Sequence, residues 1–300
     1  MRISTHTLFE SGAARIGELQ SGLVKTQQQI ATGRRILAPS DDPVAAARAL
    51  EVTQTQSLNT QYGANRQHAK SALGAVEGTL TSVTALLQDL KTTVIAAGNA
   101  ALSDTERGFM ATELSARLEE LLGLANTRDA VGNYLFSGFQ TTTPAFSKDA
   151  ITGVVTYDGD QGQRLLQVDA TRQMSVTAPG STVFQGGGQD VFQTLNDLVV
   201  LLQTSGAPSS VVLGTHNDNL DLALDSVLTV RASVGSRLKE LDSLDYAGED
   251  RNLQYSQILS ELQDLDYAKA LTQFTQQKTT LEAAQQSFVK ASGLSLFNYI

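Results

Sequence analysis

The chain has 300 residues, 41% hydrophobic, 18% charged and 6% aromatic, with a formal charge of −9 and neither cysteine nor tryptophan. That length supports a sizeable core and about two domains, and the apolar content excludes wholesale disorder. The acidic balance excludes a nucleic-acid binder, whose basic face would need far more than the pair Arg34-Arg35, and the missing cysteines exclude structural disulfides and thiolate metal sites.

The opening stretch, MRISTHTLFESGAARIGELQ, holds Ser, Thr and Glu where a cleaved leader needs an apolar run. No signal peptide is expected. Phe9, Ile16, Leu19, Leu23, Ile30 and Leu37 recur at spacings of 7, 3, 4, 7 and 7, with Gly12, Thr26 and Gly33 in the seam positions between them. So narrow a stripe predicts a helix that packs against one or two others. Pro39 is expected to end it. Ser40, Asp41 and Asp42 are N-cap candidates for the next helix, and Pro43 suits its first turn, where no N–H is needed. Both carboxylates would also face the positive end of that helix dipole.

From Pro43 to Ala97 only scattered glycines interrupt a helical pattern. Leu73, Val76, Leu80, Val83, Leu87, Leu90, Val94, Ala97 and Ala101 alternate by three and four without a slip. Such a helix is about 80 Å long at ~1.5 Å per residue. Gly98-Asn99 ends it, and Ser103 to Glu106, SDTE, is a capping box opening the next. There Ala111, Leu114, Leu118, Leu121 and Ala125 continue the seam.

Composition changes near Asn133. GVVTYDGD, RLLQVD and RQMSVTAP read as short strands, with turns at Asp158-Gly159 and Pro179-Gly180. The triple glycine Gly186 to Gly188 reads as the hinge back into helix. Val191, Leu195, Leu198 and Leu202 form a short helix. After SGAPSS and GTHNDN, a ladder of Leu220, Leu224, Val227, Val234, Leu238 and Leu241 runs on, with Arg231 in one seam position. The last stretch carries Leu271, Phe274, Leu281 and Phe288 after a phase shift near Tyr267. The tail GLSLFNYI holds Leu294, Leu296, Phe297, Tyr299 and Ile300. An end so apolar calls for a covering surface from another copy or another protein.

The expected fold is mainly α, an elongated helical rod or coiled coil formed by both chain ends, with a small β-rich insertion in the middle. Residues 1–42 plus 257–300 would form a terminal coiled-coil domain, 43–139 plus 188–256 a helical rod domain, and 140–187 the insertion. The longest aliphatic run is LVVLL, Leu198 to Leu202. A membrane span needs about 20 apolar residues, so no membrane insertion is expected.

Chemistry-bearing patterns are weak throughout. His6, His68 and His216 are far apart and none lies in a metal-protease pattern. DGDQGQ, Asp158 to Gln163, lacks the Gly and Glu of a calcium loop and reads as a hairpin turn. The triple glycine has no following Lys-Ser/Thr for a phosphate. Asp264, Asp266 and Lys269 sit close on a helix, where charges flanking a seam commonly select partners rather than move protons. No catalytic, cofactor-binding or metal residue is expected, and the chain reads as no enzyme.

The segment from Ile3 to Leu50 resembles the N-terminal region shared by bacterial flagellins and their relatives: a Gln-rich amphipathic helix, a turn, then an Ala-rich helix. Thr32, Gly33, Arg34, Arg35, Ile36, Pro39, Ser40, Asp41, Asp42 and Pro43 occupy the turn positions, with Val44 where flagellins commonly have Ala or Gly. GNYLFSGFQTTTPAF, Gly132 to Phe146, and the stretch from Leu265 to Ile300 are similar to the branch of that superfamily found at the hook–filament junction. Flagellins end on a different, Gln-Ala-Asn-Gln type run. The insertion itself is only weakly similar.

The resemblance implies a structural adaptor at the distal end of the flagellar hook, with no cofactor. It implies export through the flagellar type III route, aided by an export chaperone, and a final place outside the cell. Its partners would be other copies in a ring, hook-associated protein 1 on one side and flagellin on the other. The expected assembly residues are the apolar seam and tail, Phe9, Ile16, Leu19, Leu23, Ile30, Leu271, Phe274, Leu281, Phe288, Leu294, Leu296, Phe297, Tyr299 and Ile300, with Ser40, Asp41, Asp42 and Pro43 as the interdomain turn. The alternatives are a flagellin-like filament subunit, or a coiled-coil adaptor or effector of a secretion system.

Overall fold

The structure, a computed structural model, describes residues 3–293. In chain order it contains α1 (Ile3–Thr32), α2 (Pro43–Ala97), α3 (Asp104–Ala125), β1 (Phe146–Lys148), β2 (Val155–Tyr157), β3 (Leu165–Asp169), β4 (Arg172–Ser175), α4 (Gly180–Phe184), α5 (Val191–Gln203), α6 (Ser210–Gln263) and α7 (Tyr267–Gly293). The mainly helical architecture with small central sheets is the one the residue pattern predicts. Two compact units emerge, residues 59–249 and residues 1–58 with 250–300.

In the unit of residues 59–249 the aliphatic ladders form the core. Leu73, Leu80, Leu87 and Leu90 of α2, Leu114, Leu118 and Leu121 of α3 and Leu195 of α5 are almost completely buried. A fully buried Leu contributes about 1.5–3 kcal/mol of apolar transfer energy, so these repeats dominate the unit's stability. Ser103 caps α3 as expected: its hydroxyl accepts from the Glu106 N–H, and the Glu106 carboxylate accepts from the Ser103 N–H. Arg231, the polar residue in the α6 ladder, spans to Glu77 Oε1 at 2.8 Å and Thr84 Oγ1 at 3.2 Å, so its charge is partnered across the α2/α6 seam.

The insertion holds two antiparallel two-stranded sheets. In the first, Phe146 faces Tyr157 and Lys148 faces Val155. In the second, Leu165 faces Ser175, with an irregularity between Gln167 and Asp169. Phe136, Phe146, Phe184 and Phe192 make its core, the Phe136 and Phe184 rings meeting edge-on at 5.5 Å. The second sheet is held to the helices by polar contacts. Asn65 donates to the Gln167 carbonyl at 2.7 Å and Arg66 to the Val168 carbonyl at 3.0 Å. Arg172 pairs with both carboxylate oxygens of Glu240 at 2.7 and 2.9 Å. Arg66 also pairs with Asp245. Burial works to raise that carboxyl's pKa, but hydrogen bonds from Arg66 and Lys70 outweigh it and hold it low.

Several local expectations fail, each for a physical reason. Asp158-Gly159 is not a hairpin turn. The first hairpin turns at residues 149–154, where Asp149 Oδ1 accepts from the N–H groups of Ile151 and Thr152. The DGDQGQ segment instead folds back, Asp160 Oδ1 accepting from the N–H groups of Phe139 and Gly162. Pro179 stands at the start of α4 rather than in a turn between strands, and Gly180 is needed because a Cβ there would lie 2.7 Å from Phe146 Cε2. GTHNDN lies inside α6, whose flanking Leu213 and Leu220 are buried, so packing overrides the weak helix propensity of Gly, Asn and Asp. The first helix ends at Thr32, before Pro39, because Gly33 adopts a left-handed φ of 69°.

Candidate functional site

In the unit of residues 1–58 with 250–300, α1 and α7 pair antiparallel. The Phe9 and Phe288 rings lie 5.0 Å apart at 43°. Gly12 faces Phe288, and a Cβ on Gly12 would come within 2.7 Å of that ring. One helical stretch further on, the buried Thr26 bridges the pair: its hydroxyl lies 2.9 Å from Gln277 Oε1 and 3.1 Å from its own helix's Gly22 carbonyl. Ile16, Leu19, Leu23, Ile30 and Phe274 are half-buried, and Leu281 is buried.

Gly12, Thr26 and Gly33, which read as interruptions of a hydrophobic seam, are therefore contact positions. The α7 seam also differs from the expected one. Ala270, Phe274, Gln277, Leu281, Ala284 and Phe288 are its less exposed positions, a strict alternation of four and three, whereas Leu271, Lys278 and Gln285 are exposed. Leu271 is thus misplaced by the sequence reading: the chain breaks between α6 and α7, and a ladder carried across that break comes out one residue late. The tail residues Leu294, Leu296, Phe297, Tyr299 and Ile300 lie outside the described residues.

Where α1 ends and α7 begins, the two chain segments are tied by main-chain hydrogen bonds. The Leu265 N–H donates to the Gly33 carbonyl at 2.9 Å, and the Arg35 N–H to the Gln263 carbonyl at 2.7 Å. The Arg35 guanidinium adds a bond to the Leu262 carbonyl at 2.7 Å and reaches Asp42 Oδ2 at 3.3 Å. Gln29 donates to the Arg35 carbonyl at 2.6 Å. Gly33 is favoured here by its positive φ, and a Cβ would also come within 2.9 Å of the Tyr267 hydroxyl, the far end of an exposed side chain.

The Ser40 to Pro43 turn distributes its carboxylates differently from the expectation. Asp42 caps α2, its Oδ1 accepting from the Ala45 N–H at 3.0 Å. Asp41 does not cap; it closes the turn itself, accepting from the N–H groups of Leu37 and Ala38 at 3.1 Å each and pairing with Lys25 of α1 at 2.6 Å. The Lys25 hydrogen bond, then those of Ala38 and Leu37, hold the Asp41 carboxyl below the usual carboxylate range. The Ala45 N–H, and after it Arg35, do the same for Asp42. Asp264 and Asp266 also act locally: Asp264 accepts from the Ser260 hydroxyl at 2.5 Å, and Asp266 Oδ1 accepts from the Lys269 N–H at 3.1 Å in the first turn of α7. The role of Arg35 and Gln29 was hidden in the sequence; a polar residue beside a glycine-marked helix end is the one signal pointing to it.

This arrangement ties the end of α1 to the start of α7 through main-chain and side-chain hydrogen bonds. Among the described residues no three His, Cys, Asp or Glu side chains gather where they could hold a metal ion, and no helix is long and apolar enough to cross a membrane.

Residues 3–141 match the bacterial flagellin N-terminal helical region. Flagellar hook-associated protein 3 of Escherichia coli K12 is 33% identical over 317 residues, covering 99% of each chain, and the Salmonella typhimurium protein of the same name matches equally. The chain belongs to the flagellar hook-associated protein 3 family, within the flagellin superfamily. That family consists of flagellar structural proteins, not enzymes, and the chain is a structural component of the flagellum that assembles with other flagellar components. Among solved structures, a flagellar hook-associated protein of Vibrio parahaemolyticus superposes with a TM-score of 0.68 at 25% identity, over 75% of this chain and all of that one. The flagellar junction protein of Legionella pneumophila shares the fold, with a TM-score of 0.60 over 72% of this chain and all of that one. Flagellin of Bacillus subtilis is 26% identical over 97% of this chain.

Proposed function

We propose that this chain is the adaptor that caps the distal end of the flagellar hook and joins it to the filament, as a ring of copies. Its neighbours are hook-associated protein 1 on the hook side and flagellin on the filament side. It is exported through the flagellar type III route, with an export chaperone beforehand, and works outside the cell. The observation that carries this reading is the match over nearly the whole chain to two proteins named hook-associated protein 3, at 33% identity against 21–26% for the flagellins that also match. The joint between α1 and α7 supports it, because a subunit that links two different lattices needs terminal helices held in one register.

Deletion of the gene tests the proposal. Cells lacking the protein should carry hooks without filaments and release flagellin monomers into the medium. Normal filaments in that strain would rule the adaptor role out.

A further inference from the structure

N-terminal to Leu73 the buried face of α2 changes character. Its next buried residues are Ala69, Arg66 and Asn59. Arg66 is only 3% exposed, and a guanidinium so placed is costly unless its donors are met. They are met from two sides. Nε pairs with Asp245 of α6, and Nη1 donates to the Val168 carbonyl of β3 at 3.0 Å. Asp245 is itself held: Lys70 reaches its Oδ2 at 2.6 Å and Gln67 donates to the same oxygen at 3.2 Å. Gly248 of α6 leaves the space, since a Cβ there would collide with the guanidinium.

The β3–β4 hairpin explains why a cation is needed at this depth. Its register passes from Gln167 opposite Gln173 to Asp169 opposite Arg172 and skips Val168. Such a bulge disrupts the ladder locally and re-aims the extra residue. The Val168 side chain is fully buried, and the Gln167 and Val168 carbonyls take donors from two consecutive residues of α2, Asn65 and Arg66. The remaining hold on the hairpin is thin. In the two strands only Val168 and Met174 are buried. The Arg172–Glu240 pair is bidentate, but its side chains are 53% and 37% exposed, and pairs so open to water contribute little.

We infer that the β3–β4 hairpin is a strap that opens as a unit while the helices beneath it stay folded, and that Arg66, held in place by Asp245, is its latch. Few buried apolar side chains and a polar anchor are the marks of a locally opening segment. The latch is buried, so water does not weaken it as it does the Arg172–Glu240 pair. Asp245 acts on the strap through Arg66. Without the carboxylate the guanidinium loses its fixed position and the Val168 carbonyl loses its aligned donor. The inference is independent of the adaptor role.

Native-state hydrogen exchange of the full chain tests this. In the parent, amides of β3 and β4, with the Val176 amide that donates to the Arg164 carbonyl at 2.9 Å, should exchange through a smaller opening than amides between Leu80 and Leu90. Arg66→Met keeps the apolar stem and removes the latch; it should speed hairpin exchange at least about tenfold and leave Leu80 to Leu90 unchanged. Asp245→Asn should also speed hairpin exchange. Added to Arg66→Met, it should change hairpin exchange by less than about twofold, because its effect passes through Arg66. Asn65→Ala, which removes only the bond to Gln167, should speed the hairpin about fivefold and replaces Arg66→Met if that variant melts as a whole. Hairpin amides as protected as Leu80 to Leu90 in the parent would overturn the strap. Unchanged hairpin exchange in Arg66→Met, or in Asn65→Ala where that replaces it, would overturn the latch, and so would an equal rise in hairpin and helix exchange. Independent effects of Arg66→Met and Asp245→Asn would remove Asp245 from it.

Discussion

Replacing Gly33 by Ala probes the joint at its tightest point. Gly33 sits at φ 69° immediately after α1, and its carbonyl accepts the Leu265 N–H at 2.9 Å. An L-residue in the left-handed region costs roughly 1–2 kcal/mol. The added Cβ would also lie 2.9 Å from the Tyr267 hydroxyl, but Tyr267 is 51% exposed and its side chain has room to yield. The backbone cost therefore dominates, and 1–2 kcal/mol shifts a local opening equilibrium about 5- to 30-fold. Native-state hydrogen exchange at the Arg35 and Leu265 amides reads that shift. Both should exchange about 5- to 30-fold faster in Gly33→Ala, while amides of the buried α2 segment around Leu80 to Leu90 keep their protection. Gly33→Asn should be milder, since Asn tolerates the left-handed region better at the same Cβ position. Unchanged protection in Gly33→Ala would refute the reasoning, and equal effects from Ala and Asn would assign the cost to the Tyr267 contact instead.

Leu281→Ala removes the one buried large aliphatic side chain of the described α7 seam; a loss of about 2 kcal/mol, the low end for a buried Leu, should appear as faster exchange in α1 and α7. Ser103→Ala should lower the thermal stability of the unit containing α3 by about 0.5–2 kcal/mol, measured by calorimetry. The lowered pKa values of Asp41 and Asp42 stabilise the turn above the ordinary Asp value near 3.9, and that contribution is lost as pH falls through their lower folded values; the protection factors of the Leu37, Ala38 and Ala45 amides, corrected for the intrinsic pH dependence of exchange, should therefore fall on acidification below pH ~4, and a fall already at neutral pH would contradict the assignment. Truncation after Ser292 should leave the melt of residues 59–249 unchanged and abolish filament assembly; intact motility would remove the tail from the assembly role.

The helical frame was legible because its ladders are aliphatic and unbroken. Leu73 to Ala97 can be buried along one stripe in only one phase, and the SDTE box marks the next start by its own hydrogen bonds. The α1/α7 pair was legible in outline and not in register. Its contacts use residues whose side chains say little: Gly12 matters because an aromatic ring lies opposite, and Thr26 because Gln277 does, which are facts about the partner helix. The slip at Leu271 follows from the break at residues 264–266, set by main-chain bonds to Gly33 and Arg35 that have no side-chain signature. In the insertion, short strands were visible by alternation, but Asp149 and Asp160 are both acidic turn formers, and which one closes a hairpin depends on what their N–H donors belong to.

Labelling the protein in intact flagella with gold-conjugated antibody and viewing them by electron microscopy tests the adaptor role most directly. The account predicts a single band of label where hook meets filament, once per flagellum. Label spread along the filament would make the chain a filament subunit and contradict it.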